Sequence, residues 1–368
     1  MRLNLSISPG LIRTAALSLL FAASVLWGID KAASSIQLAL TGDPLSPSSQ
    51  TLGHPHLLWE MPPGSIEVKG QRVNVNNIGA RGPTIEIAKP TGIRRVISLG
   101  GDVAFGGGVE RSETYSIDAI NSLGGSRVGV ETILLAMPEY TIVQTINLMA
   151  MRGWALDPDL LIFSGPGHEM DVAPYVDQDV ISKFKNNVGI SQTLQNTALY
   201  QILDHWLRVT SGPKANRRQR VFQGGANTNP TGLPRVGTNV YAEQLDRLVN
   251  ESIEKQVDVV FLIPPVPADV TDAHLDDRVL LYRDAMRHIA KRHGVPTVDG
   301  PNVFIESGRT QAELFGEGAT LTKRGHRLLS YALSQTLRPW MRGRKLNKKG
   351  TGADIPVFKE PKPNGAAL

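Results

Sequence analysis

Short apolar runs alternate with stretches of helical spacing from residue 94 onward, and this pattern constrains the fold of the chain most strongly. The apolar runs predict five strands, at 94–99, 132–137, 160–164, 257–263 and 297–299. The helical spacing predicts helices at 115–123, 141–153, 241–256, 276–293 and 322–337. This alternation is typical of a three-layer α/β fold, here with a five-stranded parallel sheet covered by helices on both faces. In such sheets a ligand binds at the carboxyl ends of the strands.

The composition allows a large buried core and excludes thiol chemistry. The chain has 368 residues, of which 41% are hydrophobic and 20% are charged, and it contains no cysteine. Without cysteine there is no disulfide scaffold, no thiol nucleophile and no cysteine-ligated zinc or iron–sulfur site. We predict no metal and no cofactor.

The formal net charge of +5 is concentrated near the end of the chain. Six cations occur there without an acid, and they are Arg338, Arg342, Arg344, Lys345, Lys348 and Lys349. The rest of the chain is close to neutral, which excludes a nucleic-acid-binding surface spread over a domain. We predict that residues 338–368 form a basic tail, rich in proline and lysine, that docks on a partner protein or on anionic lipid headgroups.

The N-terminus has the pattern of a membrane anchor. Arg2 and Arg13 precede the uncharged segment 14–29, which is rich in leucine and alanine. This pattern predicts an anchor over residues 1–30 that crosses a bacterial inner membrane once, with a cytoplasmic N-terminus and a periplasmic main domain. A cleaved secretory signal is the competing interpretation.

Two further regions depart from the alternating pattern. Residues 31–72 carry little charge and several prolines, which predicts an extended linker. Within it, His54 and His56 form an H-x-H motif that, without a third ligand, indicates solvated side chains and not a metal site. The third and fourth strands are separated by an insertion at 165–240, with one amphipathic helix near 190–208. A loop of this length usually has a function or a partner.

Five sequence blocks follow the order and spacing of a known family. Residues 76–82 have the form N-x-x-G-x-R-G, residues 99–109 read LGGDVAFGGGV, and residues 136–140 read AMPEY with Gln144 following. Residues 158–169 read PDLLIFSGPGHE and residues 321–326 read LTKRGH. Over about 73–337 the chain resembles the SGNH (GDSL) hydrolase superfamily, and in particular its bacterial membrane-anchored members. The resemblance implies a flavodoxin-like three-layer fold.

The resemblance also implies a set of catalytic positions, and in this sequence most of them are replaced. The family uses a serine nucleophile, a histidine base with an aspartate, and an oxyanion site built from a glycine N–H and an asparagine amide. The corresponding positions here are Asp102, Thr320, Glu317, Ala136 and His168, in that order. If one residue is deleted, Val103 takes the nucleophile position, so neither register supplies a serine.

These replacements favour a non-catalytic role, as an accessory subunit docked on a larger membrane protein complex through the anchor, the insertion and the tail. The alternative is a divergent ester hydrolase or acyltransferase that acts on envelope sugar esters with a rebuilt site. That site would bring together Asp102, His168, Glu169 and Glu317, with Asp102 as a carboxylate nucleophile or with a divalent metal bound. We predict that His326 caps or packs and does not replace the lost histidine.

Overall fold

Two short antiparallel pairs of strands precede the central sheet in the computed structural model, which describes residues 52–54, 56–68, 71–173, 175–187 and 232–346. Strand β1 (Leu52–His54) pairs with β2 (Leu58–Glu60), and β3 (Gly64–Val68) pairs with β4 (Gln71–Val75). Buried residues of both pairs, among them Leu57, Leu58 and Val73, pack into the main core.

The central sheet has five parallel strands, as the sequence predicts. They are β5 (Arg94–Gly100), β6 (Val130–Ala136), β7 (Leu160–Ser164), β8 (Asp258–Ile263) and β9 (Thr297–Asp299). Their order in the sheet is β6-β5-β7-β8-β9. Because β5 and β7 lie inside the sheet, the loops that follow these two strands meet at its carboxyl edge.

Helices cover both faces of the sheet in the described part of the chain. In chain order they are α1 (Asp102–Phe105), α2 (Tyr115–Ser122), α3 (Ile142–Leu148), α4 (Asp177–Asn187), α5 (Thr238–Glu254), α6 (Asp277–His293), α7 (Gly300–Ser307), α8 (Gln311–Leu314) and α9 (Lys323–Met341). A π-helical turn, Met149–Gly153, continues α3. The five helices predicted from the alternating pattern all occur, and α1, α4, α7 and α8 are additional helices that this pattern did not reveal.

Two separate hydrophobic cores lie on opposite faces of the sheet because side chains alternate along each strand. On β5, Ile97 and Leu99 pack into the core that also contains residues of α3, α5 and α6. Val96, from the same strand, belongs to the second core, which contains residues of α2, α7 and α9. Burial of both faces explains why the strands read as continuous apolar runs.

The prediction of an extended linker over 31–72 is wrong for its described second half, which contains β1, β2, β3 and the start of β4. Here Pro62 and Pro63 lie between two short strands and do not mark an open chain. His54 is buried rather than solvated, and its Nδ1 accepts hydrogen bonds from the backbone amides of His56 and Leu57, both at 3.1 Å. The motif thus organises a turn.

The predicted boundary of the basic tail is also wrong, because α9 continues past residue 337 to Met341. Trp340 is buried, and the Arg94 guanidinium lies over its ring, 4.3 Å from the centroid, while donating to its carbonyl oxygen at 2.9 Å. Beyond the helix, Lys345 Nζ donates to the carbonyl of Gln256 at 2.8 Å. Tertiary packing of Trp340 therefore extends the helix through a cationic sequence.

Three predicted features fall outside the described residues, namely the anchor at 1–30, the helix near 190–208, and the tail beyond residue 346 with Lys348 and Lys349. No described helix is long and apolar enough to cross a membrane.

His326 packs in the interior, in agreement with the prediction. It is 1% exposed, its ring stacks on that of Tyr115, and its Nδ1 accepts a hydrogen bond from the Tyr115 amide at 3.3 Å. Burial, helped by the charge of Arg81 and opposed by Glu113, lowers the pKa of His326 from 6.5 to about 4. The imidazole is therefore neutral in the folded protein at neutral pH.

We predict that His326 makes the domain sensitive to acid. Its folded pKa lies below its unfolded value, so its contribution to the free energy of unfolding is present above about pH 6.5 and is lost as the pH falls toward 4. For a shift of this size the loss is about 3 kcal/mol. Denaturant unfolding at several pH values should show this decline, and His326→Asn, which keeps an acceptor for the Tyr115 amide, should flatten it. An equally steep decline in the variant would contradict the assignment.

Candidate functional site

The candidate site lies at the carboxyl edge of the sheet, where the turn after β5 approaches the end of β7. Gly100 has φ +132°, and a Cβ at this position would lie 2.3 Å from the carbonyl oxygen of Ser164. Only glycine fits such a close backbone approach at this φ. The turn then begins α1 with Asp102, whose carboxyl group faces the loop that follows β7.

A buried arginine holds the far side of this turn. Arg81 Nη1 donates to the carbonyl oxygens of Phe105 and Gly106 at 2.9 and 2.6 Å, and Nη2 donates to that of Val109 at 2.7 Å. Phe105 is the last residue of α1 and the other two follow it, so none of these carbonyls has a partner within the helix. Arg81 is the arginine of the N-x-x-G-x-R-G block, so this block fixes the loop that carries Asp102.

The centre of the site is an imidazole held between two carboxylates. His168 Nε2 lies 2.5 Å from Oδ2 of Asp102, and its Nδ1 lies 2.6 Å from Oδ2 of Asp171. The backbone amide of Glu139 donates to the same Oδ2 of Asp102 at 3.1 Å. The side chains of Asp102 and His168 are 24% and 30% exposed, so this cluster lies at the surface of the sheet edge. We call Asp102, His168 and Asp171 the ion triad.

The two carboxylates keep His168 protonated. Partial burial alone would lower the pKa of its imidazole, but the hydrogen bonds and charges of Asp102 and Asp171 outweigh it and raise the pKa from 6.5 to about 10. At neutral pH both ring nitrogens then donate, and His168 is an imidazolium. An imidazolium has no lone pair with which to take a proton from a nucleophile.

The other carboxylates of the alternative cluster do not join the triad. Glu169 is 1% exposed, and its oxygens accept the amides of Ile142 at 2.8 Å and Gly167 at 2.5 Å. Burial raises the pKa of Glu169 against the opposing effect of these amides. Its carboxyl group therefore stabilises the N-terminus of α3 and the loop before His168. Glu317 is exposed in a 3-10 turn and makes no contact with His168 in the structure.

The two remaining predicted positions, Thr320 and Ala136, contact the backbone or lie in the core and do not join the ion triad. The Thr320 hydroxyl donates to the carbonyl of Glu317 at 2.9 Å and lies beside Gly108 of the glycine-rich turn. Ala136 ends β6 opposite Gly100 and is 1% exposed. The amide that reaches Asp102 belongs to Glu139, three residues after Ala136.

The amide of Glu139 is positioned by a buried ion pair that sequence reasoning missed. Arg235 Nη1 donates to the Glu139 carbonyl at 2.8 Å, and its Nε and Nη2 each donate to the Asp177 carboxylate at 3.0 Å. Nη2 also donates to Gln144 Oε1 at 2.7 Å. The side chains of Arg235 and Asp177 are 5% and 0% exposed. Asp171 was also missed, although an acid three residues after His168 is a signal that could have found it.

The described residues contain no group of three or more His, Asp or Glu side chains arranged to hold a metal ion. The tail cations predicted to bind a partner do not approach the triad. Arg338 and Arg342 lie at the opposite, amino end of the strands, near Arg94 at the start of β5.

No protein-family model and no curated protein matches the chain. Among solved structures it is similar to LAE5, an α/β hydrolase enzyme from the metagenome of Lake Arreo, Spain, with 15% identity, 69% of this chain and 97% of that chain covered, and a TM-score of 0.44. It is similar to Axe2, an acetylxylan esterase from Geobacillus stearothermophilus, with 12% identity, 72% and 100% covered, and a TM-score of 0.42. It is also similar to a lipolytic protein of the G-D-S-L family from Desulfitobacterium hafniense DCB-2. The identity is 11%, 66% of this chain and 98% of that chain are covered, and the TM-score is 0.39.

A protein of the superfamily that the sequence blocks resemble is thus present among the similar structures. The α/β fold itself rests on the order and direction of the five strands.

We predict that the imidazole of His168 stays protonated through neutral pH. Because its folded pKa of about 10 lies above its unfolded value, its stabilising contribution is complete below about pH 6.5 and is lost as the pH rises toward 10. The difference in free energy of unfolding between the native protein and His168→Gln should therefore shrink over this range. In NMR titrations, the His168 ring signals should not move between pH 5 and 8. A midpoint near 6.5 would show that the triad does not hold the proton.

Proposed function

We propose that the described domain is an SGNH-like α/β domain that does not hydrolyse esters. The full chain then serves as an accessory subunit of a membrane protein complex, with segment 14–29 as its anchor and with the main domain on the periplasmic side. The observation that carries the first part is the ion triad, in which a protonated His168 lies between Asp102 and Asp171.

Asp102, at the position of the nucleophile, and His168, the candidate base, are engaged in a hydrogen bond with each other within this cluster. The position of the nucleophile carries a carboxylate that accepts hydrogen bonds from His168 and from the Glu139 amide. The imidazole is charged and cannot act as a base. The Glu139 amide donates to Asp102 and is occupied by this carboxylate. Loss of the nucleophile or of the base of such a triad lowers the rate by several orders of magnitude.

One observation favours the alternative, an ester hydrolase or acyltransferase for envelope sugar esters. Asp102 and His168 are partly exposed and in direct contact. In such a reaction the Asp102 carboxylate would attack the ester carbonyl and form a mixed anhydride. The alcohol would leave with the proton from His168. Water or a second alcohol would then cleave the anhydride at the acyl carbonyl, return its proton to His168 and regenerate the carboxylate.

An ester-hydrolysis assay separates the two functions. With p-nitrophenyl acetate and with an acetylated xylo-oligosaccharide, we expect the native protein, Asp102→Ala and His168→Ala to give the same background rate. Glu254→Ala, an exposed position on α5, serves as the matched control. A native rate at least about 100-fold above that of Asp102→Ala, and retained by Glu254→Ala, would establish catalysis and overturn the proposal.

The subunit role is tested by purification of the full chain from its native membrane in mild detergent. We expect it to elute with integral membrane proteins in a complex much larger than its own mass of 39.9 kDa. A strictly monomeric protein would contradict the subunit role without bearing on the inactive triad.

A further inference from the structure

The amino end of the sheet carries a cleft in which the half-buried Leu123 and Met341 lie beside the exposed Arg338 and Arg342. The cleft has a volume of about 270 Å³ and is lined by Leu123, Val128, Arg338, Met341 and Arg342. We call these five residues the basal cleft. Val128, in the turn before β6, is 56% exposed.

The cations of the basal cleft have no acidic partner among the described residues. Arg338 and Arg342 are both exposed, stand four residues apart at the end of α9, and therefore point to the same side of the helix. Arg127, next to Val128, is exposed as well and forms no ion pair in the described structure. Uncompensated cations beside apolar side chains complement a surface that offers anionic groups above an apolar layer.

Acids at the same end of the sheet are already engaged. Asp157 pairs with Lys89 at 2.9 Å, and Asp258 Oδ1 accepts the backbone amide of Leu346 at 3.2 Å. They do not neutralise the cleft arginines. The end of α9 is also held rigidly, because Arg94 clamps the carbonyls of Trp340 and Met341. The backbone that carries Arg338 and Arg342 is thus fixed in the unbound domain.

We infer that the basal cleft is a docking surface for a bilayer of anionic phospholipid, with Arg338 and Arg342 on lipid phosphates and with Val128 and Met341 in the interfacial layer. This deepens the proposed membrane-tethered function and rests on it. Because the cleft and the ion triad lie at opposite ends of parallel strands, a docked domain turns the triad away from the membrane.

The absence of cysteine from the sequence allows a site-specific test. Val128→Cys and Leu281→Cys each receive one environment-sensitive fluorophore in the full chain. The two positions are matched in exposure, at 56% and 57%, but Leu281 lies in the first turns of α6, which begins at the triad end of the sheet near Met170. Each labelled protein is combined with nanodiscs of phosphatidylglycerol or of phosphatidylcholine.

We expect a blue shift of the probe at position 128 on phosphatidylglycerol discs, no shift on phosphatidylcholine discs, and no shift at position 281 on either. Arg338→Ala with Arg342→Ala should weaken docking by about 25-fold, the product of roughly fivefold for each arginine near an anionic surface. Salt at 1 M should abolish the shift, because it screens charges beyond about 3 Å.

An unchanged probe at position 128 on phosphatidylglycerol discs would overturn the inference and would leave an acidic protein face as the partner of the cleft. Equal shifts at positions 128 and 281 would also overturn it, since they indicate nonspecific adsorption. Co-elution of the chain with phosphatidylcholine discs tests separately whether the proposed anchor, segment 14–29, inserts into a bilayer. If this insertion fails while the probe still responds to phosphatidylglycerol, the proposed anchor is wrong and the basal cleft stands.

Discussion

The buried guanidinium of Arg235 joins parts of the chain that are distant in sequence, and the geometry of the candidate site depends on it. It pairs with Asp177 of α4, donates to Gln144 of α3, and holds the carbonyl of Glu139, whose own amide reaches Asp102. Breaking a buried ion pair by removing one partner costs about 3–5 kcal/mol, because the other charge is left without compensation. The carboxyl edge of the sheet is therefore fixed by charges that take no part in its surface chemistry.

The sheet could be predicted from the sequence because all five strands are buried on both faces and read as apolar runs. The bounds of β7 and β9 agree with the prediction to the residue. The hairpins of β1 to β4 were missed, since each strand has only three to five residues and its hydrogen bonds depend on partners that local sequence does not reveal. The extension of α9 was missed for a similar reason, because Trp340 is held in the core by Arg94 from another element.

At the candidate site, sequence order placed Asp102 and His168 near each other because both follow neighbouring strands at the same edge. The structure adds what order alone could not provide, namely the directions of the side chains. Glu169 follows His168 directly but turns inward to backbone amides, whereas Asp171 turns back to the imidazole. The direction of each side chain depends on which buried N–H groups need an acceptor. That is set by how the loop packs against α3, which local sequence does not reveal.

The close approach at Gly100 constrains the backbone of this edge but not the side chain at position 102. The carbonyl of Ser164 excludes any side chain at position 100, whatever residue stands at position 102. Selection for a folded chain alone would therefore preserve the glycine, while position 102 remained open to drift. A lineage could lose a reactive group here in one substitution and keep the fold of the domain, which could then be recruited for a structural role.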